Sequence, residues 1–249
     1  MSVKFFPSCK HRLDFPIESA RLAEYIVGRT GATVSGCCRE KLKSVGGRPE
    51  NQDEIRGSEI NITDCAPGPL GLTAGDTAIV VCPTCAAIFS ESGGGCDIKF
   101  VWEIIDDDPL FPFPDYHGKS LTLQDCWVCR EREAVQAAVR SCLKKMNINV
   151  FEMDENGANT LFCGENMLRE PPAEIAGLAP NRYLGENLKF FHPMAPSDRE
   201  NALKAHVERA RTADFACYCR FCANGIKTGG GNAYHLLTLL FAPEMIKNE

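Results

Sequence analysis

The chain has 249 residues, is 44% hydrophobic and 24% charged, and carries a net charge of −6. That is an ordinary globular composition with room for one large core or two modest ones. The lack of any basic run or stripe argues against nucleic acid as the main partner, and no apolar run approaches the roughly 20 residues of a membrane helix.

The opening apolar run is broken at once by Pro7, too early for an export signal, so a reduced, cytoplasmic setting is expected. In that setting 14 cysteines point to metal binding or catalysis rather than to disulfides.

Taken in order, residues 3–6 form a short apolar strand, and Cys9 follows it. Residues 16–29 repeat apolar side chains at helical spacing and end at Gly28 and Gly31. A second strand over 32–35 runs into Gly36-Cys37-Cys38, and residues 39–75 are polar and rich in glycine and proline, a long insertion. The run at 78–81 then reads as a buried strand ending in Cys82-Pro83-Thr84-Cys85, with a helix starting over 86–90. After Gly93-Gly94-Gly95 an apolar helix is expected over 98–105, and the acidic, proline-rich stretch 106–114 reads as a linker.

The plan then starts again. A strand at 121–123 precedes Cys126, a helix covers 132–146, and a strand at 149–153 leads to Cys163. Residues 165–199 form a second insertion, a helix spans 200–210, and a strand at 213–216 runs into Cys219-Arg220-Phe221-Cys222. Gly229-Gly230-Gly231 precedes an apolar helix expected over 234–241, so both triple glycines read as turns between helices. The two C-x-x-C pairs lie 137 residues apart and the two triple glycines 136 apart. Such agreement in ordered features predicts a duplicated α/β unit: two tandem pseudo-symmetric halves, 1–114 and 115–249, each with a mostly parallel sheet. The cysteines fall at strand ends, where sites form in such sheets.

A lone C-x-x-C also suits a thioredoxin-like dithiol, but here further cysteines flank each pair. In the first half they are Cys9, Cys37, Cys38, Cys82 and Cys85. Five thiolates exceed the four of tetrahedral zinc, whereas iron–sulfur clusters are held by several. The pattern Cys-x(27)-Cys-Cys-x(43)-Cys-x-x-Cys, with Phe6-Pro7-Ser8-Cys9 at its head, resembles the cysteine-rich CCG domain. That domain occurs, usually duplicated, in the B-type component of heterodisulfide reductase.

The resemblance implies that these five cysteines ligate a noncubane [4Fe–4S] cluster in an iron–sulfur oxidoreductase subunit that reduces a small disulfide or related thiol substrate. In the second half Phe162-Cys163-Gly164 stands where the family has Cys-Cys-Gly, leaving Cys126, Cys163, Cys219 and Cys222. Four thiolates suit a cubane [4Fe–4S] cluster or zinc, with Cys129 or Cys217 as a stand-in for the lost ligand. The chain lacks both the C-x-x-C-x-x-C run of ferredoxin modules and a G-x-G-x-x-G, so a partner subunit carrying ferredoxin-type clusters or flavin is expected. A non-catalytic electron-transfer subunit and a zinc-stabilised scaffold are the competing readings.

Outside this set, Cys142 reads as a buried small hydrophobe, and Cys65 and Cys96 as spectators. His11 is the one candidate proton donor, although its polar surroundings read as a solvated loop. His235 is expected on the apolar helix as a core residue. Lys10, Arg39 and Arg220 adjoin proposed ligands and can offset charge or bind an anion.

Overall fold

The computed structural model describes residues 1–36 and 72–246. Cys37, Cys38, Arg39, Cys65 and most of the first insertion lie outside the described residues. Packing divides the chain into Met1–Val101 with Ala173–Asn181, and Trp102–Pro172 with Arg182–Glu249.

In the first unit, β1 (Val3–Phe6) leads into α1 (Cys9–Asp14) and α2 (Pro16–Thr30). Then come β2 (Thr33–Val34), β3 (Thr77–Val80), α3 (Pro83–Ser92) and β4 (Asp97–Phe100). The sheet order is β2-β1-β3-β4, all parallel, with Phe5 opposite both Val34 and Ile79. β1 is buried at Phe5 and Phe6 and β3 at Ala78, Ile79 and Val80, so their inner ends are continuous apolar runs rather than alternating ones. Leu22 and Ile26 of α2 and Ile88 and Phe89 of α3 join the core, with the Phe6 and Phe89 rings 4.5 Å apart.

The second unit repeats the plan. It opens within α4 (Val101–Asp106) and continues through β5 (Ser120–Gln124), α5 (Glu133–Lys145) and β6 (Asn149–Glu152). The insertion at 165–199 carries α6 (Ala173–Leu178), which belongs to the first unit, and α7 (Pro180–Tyr183). Next come α8 (Pro196–Val207), β7 (Asp214–Cys217), α9 (Arg220–Thr228), β8 (Asn232–His235) and α10 (Leu236–Phe241). The second sheet, β6-β5-β7-β8, is again parallel throughout and has the first sheet's order.

In each unit the connections leave the first strand in opposite directions, so a switch point lies between β1 and β3 and between β5 and β7. Such sheets bind ligands outside the carboxyl ends of the strands at that point.

Two expected helices are corrected. Residues 98–100 belong to β4 and residues 234–235 to β8, each strand passing without a loop into a helix. Both strands are short edge strands, and the helix after each extends one continuous apolar run, which periodicity alone cannot divide. The triple glycines therefore turn helix into strand, with positive φ at Gly94, Gly95 and Gly230. Residues 106–114, expected as a linker, lie within the second unit. There Lys145 Nζ holds Asp106 at 2.7 Å, and the Phe111 ring packs edge-on against Phe241.

Candidate metal centre

In the second unit, Cys126 stands two residues beyond the end of β5 and Cys219 two residues beyond the end of β7, either side of the switch point. Cys219 is extended, with φ −119° and ψ 127°, and caps the start of α9. That start turns Cys222 back toward it, one turn along. Cys163 arrives from the loop after β6. The four sulfurs lie within 4.8 Å of one another, the only such gathering among the described residues. All four residues are buried, none more than 3% exposed.

The Cys163 loop fits only because of a glycine. Gly164 has φ +58°, and a Cβ there would sit 2.1 Å from the Phe221 carbonyl oxygen. Bare backbone thus packs directly on α9 between Cys219 and Cys222. The Trp127 N–H donates to the Phe162 carbonyl at 2.9 Å, tying the turn after Cys126 to the same loop. The Tyr218 hydroxyl, buried between Cys217 and Cys219, accepts from the Cys126 N–H at 3.2 Å. Burial holds that phenol well above its ordinary pKa, so it stays neutral.

The sulfurs perturb one another. Burial pushes the Cys126 and Cys222 thiols well up, while hydrogen bonds from Cys126, Cys163 and Cys222 hold Cys219 well below the ordinary thiol range. Without a cation, therefore, one thiolate collects the hydrogen bonds of its neighbours. A bound cation removes the burial penalty for all four and displaces the remaining protons. Four buried soft ligands suit zinc, iron or a cluster, and they are chemically fit to hold one.

The surrounding shell is polar and ordered. Arg140 grips Glu152 with two hydrogen bonds of 2.8 Å and reaches the buried Asp125 carboxylate at 2.5 Å, next to Cys126. Gly157 N–H also donates to Asp125, at 2.9 Å. Asn166 Nδ2 approaches Cys163 Sγ at 3.8 Å. Phe162, at the place where the resembled family has a cysteine, stacks flat on His206, with ring centroids 3.9 Å apart. Arg209 donates to His206 Nδ1 at 2.7 Å, so the proton sits on Nε2, which donates to Gln124 Oε1 at 2.6 Å. Burial, then Arg209, lowers the His206 pKa to about 4.

In the first unit, Cys9 opens α1 after β1, Cys82 caps α3 after β3, and Cys85 lies in the first turn of α3. Cys82 is extended like Cys219, with φ −93° and ψ 126°. Cys9 and Cys82 are half-buried and Cys85 is buried. Their expected companions Cys37 and Cys38 lie outside the described residues. His11 is a correction to the solvated-loop expectation. It is fully buried on α1, with Nδ1 3.0 Å from Ser8 Oγ, because Ser8 takes φ +65° and folds back over the helix start.

Cys129 and Cys217 are buried near the tetrad but outside it. Cys142 is a buried hydrophobe as expected, with its pKa pushed up to about 12 by burial. His235 is buried too, but it ends β8 and caps α10 by accepting from the Leu237 N–H.

Sequence reasoning missed Gly164, Tyr218, Asn166 and the Phe162–His206 stack. Gly164 carried a readable signal, a glycine directly after a proposed ligand; the others depend on contacts far apart in the chain. Compared with family models, curated proteins and solved structures, the chain matches none. Among the described residues no helix is long and apolar enough to cross a membrane.

Proposed function

We propose that this chain is an iron–sulfur oxidoreductase subunit of the heterodisulfide-reductase-B type, with its reactive centre in the first unit and a closed, single-ion centre in the second. The observation that carries the reading is the buried tetrad at a switch point, in a unit whose strand order the cysteine-bearing first unit repeats. The sulfur spacing favours one ion there. Tetrahedral zinc with bonds of about 2.3 Å puts its sulfurs roughly 3.8 Å apart. Cys126 Sγ and Cys163 Sγ are 3.7 Å apart. A cluster attaches its thiolates to separate irons and spreads them wider.

A closed four-thiolate centre has no open position for substrate, so it serves structure. Cys9 and Cys82 are half-buried rather than sealed, which suits a reactive centre better than the closed tetrad does. Cys9, Cys37, Cys38, Cys82 and Cys85 would hold a noncubane cluster, which would pass electrons to a sulfur–sulfur bond. Cleaving a disulfide to two thiols consumes two electrons and two protons. The electrons come from a ferredoxin-type or flavin subunit, since the chain carries neither motif.

Metal and acid-labile sulfide analysis of anaerobically purified protein tests the reading: about four irons with sulfide, plus one further metal, are expected. A colourless protein with zinc and no iron supports instead the second reading, a zinc-stabilised scaffold, which the tight sulfur spacing also favours. Disulfide turnover by the reduced protein separates a reductase from a pure electron carrier, which shows none.

A further inference from the structure

The insertion at 165–199 is tied down at its base, its tip and its returning limb, and each reaches an element that carries a proposed ligand. The base begins at the tetrad. The turn Asn166–Leu168 follows Cys163, and the returning chain closes on it: His192 N–H donates to the Met167 carbonyl at 2.7 Å, and Met194 N–H to the Leu168 carbonyl at 3.1 Å. The tip is α6, which packs in the first unit against α3, the helix that Cys82 caps and that carries Cys85. There the Ser92 hydroxyl donates to the Leu178 carbonyl and the Asn181 N–H donates to Glu91, both at 2.7 Å, while Ile175, Ala176 and Leu178 are buried. The returning limb covers the turn after Cys126, where the Tyr183 and Phe191 rings pack against Trp127 with centroids 6.1 and 5.3 Å away.

The change from tip to limb is abrupt. Asn181 is fastened to Glu91 of α3, and the next residue, Arg182, pairs with Glu131 at 2.8 Å and lies 5.4 Å over the Trp127 ring. No slack separates the anchorage of α6 from the anchorage beside Cys126. With six residues, α6 is too short to persist as a helix without a surface to dock on. It therefore has two states, docked on α3 or released, and release costs less than unfolding the sheet beneath. Whatever fixes the base and the returning limb biases α6 toward the docked state. The tetrad joins Cys163, at the base, to Cys126, beside the returning limb, so a metal there fixes both together.

We propose that the insertion is a strap through which metal in the tetrad holds α6 on α3 and so steadies the helix that carries Cys85. This coupling rests on the tetrad being a metal centre and not on the reaction in the first unit. Loss of the tetrad metal loosens α3 without removing any ligand there, and the effect runs equally in both directions.

The test is hydrogen exchange on the full, anaerobically purified, metal-replete chain, read in α6, α3 and β1, with metal content measured in each sample. Cys126→Ser should lose the tetrad metal and speed exchange in α6 and α3 about tenfold or more, with β1 and any first-unit iron unchanged. Leu178→Asp puts a charge at a buried position, which releases α6, and should weaken zinc binding at the tetrad by a similar factor in competition with a chelating dye. Ser92→Ala touches no ligand and removes one docking hydrogen bond. It should raise α6 exchange several-fold in the loaded protein, and it keeps the test open if Leu178→Asp misfolds. Exchange in α3 and α6 that ignores loss of the tetrad metal would overturn the proposal. So would acceleration that spreads equally to β1, or a Leu178→Asp protein with α6 released and parental zinc affinity. A tetrad that takes up no metal at all fails earlier, at the metal-centre reading itself, and metal analysis separates the two failures.

Discussion

The two units share a strand order and place C-x-x-C at the same junction, yet they treat their cysteines differently. In the second unit four sulfurs converge in a sealed pocket, with a phenylalanine ring beside them. In the first, Cys9 and Cys82 sit half-buried at the corresponding strand ends. One α/β frame can thus hold its strand-end cysteines either in a sealed group or half-buried.

The comparison breaks most severely at Gly164. Gly164→Ala puts a methyl group against the Phe221 carbonyl at positive φ. Metal in the tetrad should fall to a small fraction of a site per chain, while any iron in the first unit stays. Metal analysis of the purified variant checks both halves of that statement.

A smaller effect is expected from Phe162→Ala. The ring is 9% exposed and stacked on His206, so its loss should cost about 3 kcal/mol of second-unit stability. Denaturant unfolding followed by tryptophan fluorescence reads this unit alone, because both tryptophans, Trp102 and Trp127, lie in it. Reloading the chelated tetrad should release protons at neutral pH, since burial raises the Cys126 and Cys222 thiols and a bound metal displaces their protons. A pH indicator in weak buffer measures the release.

Acid should separate the units more gently. His206 is depressed from its ordinary 6.5 to about 4 in the folded state, so the unfolded chain binds its proton first. The stability it contributes is complete above about 6.5 and is lost as pH falls toward 4. In the first unit, Asp76 is held low by the Ser2 N–H first, then by the Thr73 hydroxyl and N–H and by the Ser2 hydroxyl. Its contribution is present above the ordinary carboxylate range and is lost only as pH drops below about 4. Tryptophan fluorescence should therefore respond to acid before hydrogen exchange in β1 and β3 does.

Much of this was legible because the cysteines mark the strand ends. The spacing of Cys82 to Cys85 and Cys219 to Cys222 repeats, and the duplication and the tetrad follow from it. Edge strands β4 and β8 were hidden inside apolar runs that continue into helices, where no turn residue marks the change. His11 was expected in a solvated loop on general grounds, as a histidine two residues after Cys9, whereas α1 turns its ring inward. The Phe162–His206 stack and the Arg140 grip on Asp125 join residues far apart in sequence, and neither has a local signature.

The central claim is that the two units hold chemically different centres. It is tested most directly by iron, zinc and sulfide analysis of the anaerobic protein beside its Cys9→Ser and Cys126→Ser variants. Cys9→Ser should lose iron and sulfide and keep the single metal of the tetrad, and Cys126→Ser should do the reverse. Iron and sulfide that vanish with Cys126→Ser and persist in Cys9→Ser would contradict it.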